Sequence, residues 1–248
     1  MRLIDLFRNR VASLRGLENG KRIFILANGP SVANLDLSFL DQEVVIGMNA
    51  SSMLEEKNNF KSKYYVISDH RFLNSPEKRA WGTNKLDPNT VRVLRRELEL
   101  QDDVTIKNKS FYVPALTRDG FSKNLSHGFH YGCTTTLLAL QLAWHLGSRE
   151  VFLLGCDLRY PDENPRFYAE TIPQVEDSFI SVQISNIVNA AVQFEAVGGK
   201  VTNCSALSFL RPYLPYSDLD SLVSPLKTLE PDVQKLPRKR PLRKRTMS

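Results

Sequence analysis

Cysteine is scarce in this 248-residue chain: Cys133, Cys156 and Cys204 are odd in number, widely separated and matched by no CxxC. That excludes a disulfide framework or a zinc finger and suits a reducing compartment. Also missing is any apolar run of the roughly 18–20 residues needed to cross a bilayer. Near the N-terminus, Asp5, Arg8 and Arg10 interrupt the apolar stretch that a secretory leader requires. A cytoplasmic protein is therefore expected. With 42% hydrophobic and 24% charged residues, neither a collagen-like nor a wholly disordered chain fits. The length suits one large domain or two small ones with a full core.

Net positive charge is nearly absent from the body of the chain. The formal charge is +6, but residues 230–248 hold seven Lys and Arg against Glu230 and Asp232. The tail thus carries +5 and residues 1–229 only +1, which argues against a nucleic-acid groove. Residues 223–248, with the run PRKRPLRKR, read as a basic disordered tail, either simply solvated or drawn to an anionic membrane surface. At the other end, Leu3, Ile4, Phe7, Val11 and Leu14 follow helical spacing among arginines until Gly16. Residues 1–19 are expected as an amphipathic helix that docks on its own domain or lies at a lipid interface, making the protein peripheral on the inner face of the membrane.

Between the ends, short continuous apolar runs alternate with helical stretches. Residues 22–27, 44–48, 64–67, 150–154 and 200–202 read as strands buried on both faces. Residues 51–58, 134–146 and 180–197 read as helices. The alternation predicts an α/β fold, a Rossmann-like parallel sheet sandwiched by helices with a small lid or insertion, over one domain spanning residues 20–222. Residues 75–130 are the expected insertion or lid, with a charged helical piece near 89–101 and short strands at 104–106 and 111–113.

Parallel sheets bind ligands beyond the carboxyl ends of their strands. Five such ends carry small or amide side chains here: Asn28/Ser31, Asn49/Ser51, Ser68/Asp69, Gly155/Asp157 and Asn203/Ser205. Singly, each is an ordinary turn or cap. On one edge they make a polar crevice suited to a base, a ribose and a phosphate. There is no GxxxxGK[ST] and no GxGxxG. In Asn28-Gly29-Pro30-Ser31, Gly29 permits close backbone approach and Ser31 is expected to cap the next helix. Gly132-Cys133-Thr134-Thr135-Thr136 opens the long apolar helix, where dipole and hydroxyls favour an anion; a Thr-rich first turn without a ligand is the plainer reading. Asp218-Leu219-Asp220 follows two prolines and reads as a loop or helix cap.

Taken together, Ile23-Phe-Ile-Leu-Ala-Asn-Gly-Pro-Ser31, Gly47-Met-Asn49, Thr134-Thr-Thr and Leu146-Gly-Ser-Arg-Glu-Val-Phe-Leu-Leu-Gly-Cys-Asp157 resemble bacterial CMP-sialic acid-dependent sialyltransferases of lipooligosaccharide synthesis. Tyr65-Val-Ile-Ser-Asp-His-Arg-Phe-Leu73 and Arg166-Phe-Tyr-Ala-Glu170 extend the resemblance to the lipopolysaccharide-core Z protein type, assigned as CMP-Kdo-dependent transferases. The pattern is also similar to a broad group that includes a methanogen pterin diphosphokinase. It covers roughly residues 20–222.

The resemblance implies a glycosyltransferase moving a ulosonic acid from a CMP-activated donor to a surface-glycan or lipid-linked acceptor, with no resident cofactor or metal. It implies that Asn28, Gly29 and Ser31 contact the CMP phosphate and ribose, with Asn49 beside the donor. Ser68 and Asp69 take the place of a donor-binding Asn. Thr135 and Thr136 fall near the donor carboxylate and phosphate, and Gly155, Cys156 and Asp157 frame the cytosine and ribose. Tyr168 reaches the leaving phosphate or serves as a lid aromatic. Arg166 pairs with phosphate or carboxylate, or makes a surface salt bridge. The sialyltransferases place a histidine base shortly before the helix equivalent to 184–197, whereas here Asp177-Ser-Phe-Ile-Ser-Val-Gln183 has none. His145 reads as structural. The base is expected at His130 or Glu170, with His127 and Asp157 also open. An ATP-dependent diphosphokinase and a non-catalytic nucleotide-cleft module are the alternatives.

Overall fold

In the computed structural model, Ile23, Phe24, Ile25 and Leu26 are completely buried. The apolar run of β1 (Arg22–Leu26) is therefore covered on both faces. Residues 11–69, 75–83, 85–98, 110–160, 165–169 and 177–227 are described. The others include the first ten residues of the expected N-terminal helix, the candidate strand 104–106 and the tail from 228. Six further strands join β1 in one sheet: β2 (Val44–Met48), β3 (Tyr64–Ile67), β4 (Val91–Arg95), β5 (Ser110–Val113), β8 (Glu150–Leu154) and β9 (Lys200–Asn203). All pair in parallel, in the order β5-β4-β3-β2-β1-β8-β9. Two short strands, β6 (Ala115–Leu116) and β7 (Phe129–His130), form a separate ladder. This is the expected α/β Rossmann-like architecture.

The chain steps outward from β1 to β5, then returns to lay β8 on the other side of β1. Register sets Leu26 beside Gly47 on one flank and Leu154 on the other, so the three strands end level. Their carboxyl ends flank the point where strand order reverses, which is where parallel sheets open a crevice.

Helices cover both faces. Ile23, Ile25, Ile46, Val66, Val151 and Leu153 pack in one core with α3 (Thr135–His145) and α4 (Ile180–Glu195). On the opposite face Tyr65, Ile67, Leu94 and Tyr112 meet Trp81 of α2 (Pro76–Gly82), with α1 (Ser52–Asn58) following β2. Every residue of α3 is buried, which explains its apolar character all round. Its polar exceptions are satisfied. Gln141 accepts from the Ser122 and His130 N–H groups and donates to the His130 and Leu137 carbonyls. His145 accepts from Leu125 N–H and bonds Val11 O at 3.0 Å, and burial holds its pKa low. It is structural, as expected. Val11 and Leu14 are buried in the main core, so this part of the N-terminal segment docks on its own domain.

One local expectation is corrected. Residues 91–95 are strand β4, not part of a charged helix near 89–101. Arg92 is buried, and its guanidinium donates to the carbonyls of Gly82, Thr90 and Thr83, so a charged residue sits inside the strand with each of its three nitrogens hydrogen-bonded. The segment 75–130, read as an insertion or lid, thus supplies two of the seven sheet strands, β4 and β5. A second unit begins at Leu219, and its helix α5 (Leu219–Lys227) carries Asp220 in its first turn.

Candidate functional site

A cleft opens at the reversal point. It is lined by Asn28 and Gly29 after β1, Asn49 after β2, Asp69 after β3, Thr134–Thr136 at the start of α3, and Gly155, Cys156 and Asp157 after β8.

Asp157 is the keystone of the floor. It is 4% exposed. Ser31 donates its N–H to Oδ2 at 2.9 Å and its hydroxyl to Oδ1 at 2.6 Å. Ser205 Oγ stands 3.1 Å from the Ser31 hydroxyl, joining the end of β9 to the same network. Gly29 is required by contact, not by conformation, since its φ of −65° suits any residue. A Cβ there would lie 2.4 Å from Asp157 Oδ2 and 2.6 Å from the Gly155 carbonyl. The β1 turn is therefore pressed against the β8 turn, and Ser31 braces Asp157 instead of capping a helix.

Asn28 bridges β1 and β2. Its Nδ2 donates to Met48 O and its Oδ1 accepts from Ala50 N–H, so both ends of the amide serve the backbone. Asn49 stands at φ 51°, and its Oδ1 is buried with no hydrogen-bond partner among the described residues. Cys133 (φ 55°) and Leu158 (φ 52°) are also left-handed, and all three line the cleft. Among the described residues Asn59, which ends α1, is the fourth such non-glycine residue. Backbone held in this region costs roughly 1–3 kcal/mol per residue and collects at binding sites.

The N-terminus of α3 enters from one core face. Thr134 caps it by accepting from Thr136 N–H. Thr135 Oγ1 lies 2.9 Å from Ser68 Oγ, tying α3 to the end of β3. Thr136 Oγ1 is 3.7 Å from Cys156 Sγ. Burial pushes the Cys156 thiol up to about 12, so it fills the floor as a small neutral group. Hydroxyls and the helix dipole together make this a surface for an anion.

Arg159, Tyr160, Arg166, Asp177 and Gln183 also line the cleft. The Arg166 guanidinium lies 4.9 Å from the Tyr160 ring centroid. Burial raises the Tyr160 phenol above its ordinary value, although Arg166 opposes the shift. Asp177 is committed to the start of α4: Oδ1 accepts from Phe179 N–H and Oδ2 from Gln183 Nε2. Among the described residues no three His, Cys, Asp or Glu side chains group as a metal site.

The structure thus gathers Asn28, Gly29, Asn49, Asp69, Thr135, Thr136, Gly155, Cys156, Asp157 and Arg166 around one space. Ser31 and Ser68 stand one layer behind, bonded to Asp157 and Thr135. His130 is not among the lining residues; its Nδ1 lies 2.7 Å from Arg118 O. Tyr168 is not among them either, and its ring meets Trp81 edge-on at 5.0 Å in the second core. Glu170 lies outside the described residues. Cys133 lines the cleft as part of the Gly132–Thr136 candidate, whereas sequence reasoning missed Tyr131, Leu158, Arg159, Tyr160, Asp177 and Gln183 as lining. Only Asp177 had a readable signal, an acidic residue just before a helix.

No family model and no curated protein matches the sequence. Solved structures similar to the chain include the following two. A MAf glycosyltransferase from Magnetospirillum magneticum AMB-1 has a TM-score of 0.52 at 17% identity, covering 90% of this chain and 39% of that one. The chain thus spans about two fifths of that protein's length. The sialyltransferase CstII from Campylobacter jejuni, in complex with the substrate analogue cytidine-5'-monophosphate, has a TM-score of 0.49 at 12% identity, over 80% of this chain and 85% of that one. At these identities the likeness is one of fold, and it rests on the first.

Proposed function

We propose that the chain is a glycosyltransferase that moves a ulosonic acid of the Kdo or sialic acid type from a CMP-activated donor to a glycan acceptor. One observation carries this reading: Asn28, Asn49, Thr135 and Asp157, the residues through which the sequence resembles CMP-sugar transferases, line a single cleft at the reversal point of the sheet. The fold shared with a glycosyltransferase is consistent with it.

In the reaction, the bond from the sugar's anomeric carbon to the phosphate oxygen breaks through an oxocarbenium-like transition state, and CMP leaves with the electron pair. Charge grows on the departing phosphate, where the α3 N-terminus, the Thr135 and Thr136 hydroxyls and Arg166 supply positive potential. The acceptor oxygen bonds to the anomeric carbon and gives its proton to a carboxylate. We assign the proton to Asp69, a carboxylate that lines the cleft beyond the end of β3.

Titration calorimetry with CMP tests the cleft, and absence of heat up to millimolar CMP would sink the reading. Asp69→Asn is expected to bind CMP like the unaltered protein while releasing it from CMP-sialic acid or CMP-Kdo roughly a hundredfold more slowly. An unchanged rate would remove Asp69 from its role.

A further inference from the structure

The α4 helix presents an uncharged face to solvent. From Ile180 to Phe194 it contains no Lys, Arg, Asp or Glu, although Ser181, Ser185, Asn189 and Val192 are exposed. A solvated helix face ordinarily carries charge. Ser181, Ser185 and Asn189 recur every fourth residue and so share one row. With Asp119 they line a hollow of about 410 Å³. Asp119 also borders a second hollow of about 360 Å³, whose wall includes Arg118 and the turn Tyr131–Cys133. Tyr131 and Cys133 line the cleft as well. Three spaces therefore adjoin in series, from the strand ends to the outer face of α4.

Size makes the series matter. The cleft alone holds about 100 Å³, against the roughly 300–1,000 Å³ of ligand pockets in general. A donor and an acceptor together need the adjoining room. Chemistry says which ligand fits the outer part. Ser hydroxyls and Asn amides both donate and accept, as sugar hydroxyls do. The Asp119 carboxylate, which accepts from Asn186 Nδ2, disfavours an anion beside the row.

We infer that this tract is the acceptor site and takes a neutral oligosaccharide, its terminal sugar at the Tyr131–Cys133 turn and its following sugars along Ser181, Ser185 and Asn189. The inference rests on the reading of the cleft as a donor site. Its test compares the full-length protein with Ser185→Trp, whose indole fills the hollow from an exposed position, and Asn189→Ala, which only deletes an amide. The probe is a printed array of neutral and acidic oligosaccharides, with CMP calorimetry run beside it. The unaltered protein should retain a neutral oligosaccharide, Ser185→Trp should lose about tenfold in affinity and Asn189→Ala less, and CMP affinity should stay within about twofold. Retention of no glycan, retention of acidic glycans only, or equal binding by Ser185→Trp overturns the inference. So does sedimentation showing a dimer of the unaltered protein that Ser185→Trp dissolves. Failure of the unaltered protein to bind CMP while it retains a neutral glycan would instead overturn the donor reading and leave this tract standing.

Discussion

The two ends of the sheet treat charge in opposite ways. At the amino ends of the strands, acids are met by bases. Arg22 and Glu43 pair between the starts of β1 and β2, and Glu18, fully buried, receives Lys21, Lys63 and the Tyr64 hydroxyl. At the carboxyl ends Arg95 and Glu97 also pair beyond β4, but two acids of the cleft are met by neutral donors. Asp157 takes the N–H and hydroxyl of Ser31, and Asp177 takes an N–H and an amide. Left-handed Asn49, Cys133 and Leu158 all lie at this second end. Ion pairs between neighbouring elements close the amino edge of the sheet upon itself. Neutral bracing leaves the other edge shaped, with its dipoles still directed at the space between the strands.

The comparison can be broken most severely at Asp157. Asp157→Ala removes the acceptor of the half-buried Ser31 N–H and leaves the Ser31 hydroxyl only Ser205, and losing two hydrogen bonds to a charged group costs about 2–4 kcal/mol together. Urea unfolding should show that loss, and CMP calorimetry should show no binding; a variant as stable as the parent would mean that the brace is dispensable.

A smaller effect separates both edges from Glu55 on α1, a buried carboxyl that Ser62 satisfies only in part. Its Oε1 has no partner among the described residues, and burial raises its pKa to about 7 despite the opposing influence of Ser62. A carboxyl raised in the folded state contributes stability that is present below about pH 4.5 and is lost as pH rises through about 7. Glu55→Gln should therefore gain about 2–3 kcal/mol on the parent at pH 8.5 and little at pH 4. Parallel stability curves for the two proteins would refute this.

The smallest change is expected at Glu18. Burial would raise its carboxyl, but hydrogen bonds from Lys63, Tyr64 and Lys21 outweigh burial and hold it below its ordinary value. Its contribution is thus present above about pH 4.5 and lost as pH falls through the lowered value. The lysine side chains are half exposed, 51% and 56%, so screening limits Glu18→Gln to about 1 kcal/mol at neutral pH. The difference should fade at pH 3 and in high salt; a difference that persists in both would point to packing instead of charge.

The central strands were legible because burial on both faces demands an unbroken apolar run, and the turns after them because small and amide residues interrupt it. Strand β4 was not. Val91-Arg-Val-Leu-Arg95 puts Arg92 inside the sheet, and only the fold supplies the three carbonyls that satisfy its guanidinium. The site shows the same divide. That Asn28, Asn49, Thr135 and Asp157 face one space follows from strand order, which alternation implies. That Ser31 braces Asp157 depends on two residues 126 positions apart, and no local pattern announces it. Tyr160 and Gln183 reach the lining from segments whose placement depends on the whole fold.

Gln141 sets how the wall of the cleft behaves. Four hydrogen bonds fasten this one amide to Ser122, to both backbone groups of His130 and to its own helix, just before the turn at Tyr131. Peeling that turn away would expose a buried amide and strand its partners at about 1–3 kcal/mol for each group. The partition between the cleft and the outer hollows is in effect riveted to the central helix, so a guest that presses on it is resisted by the entire core.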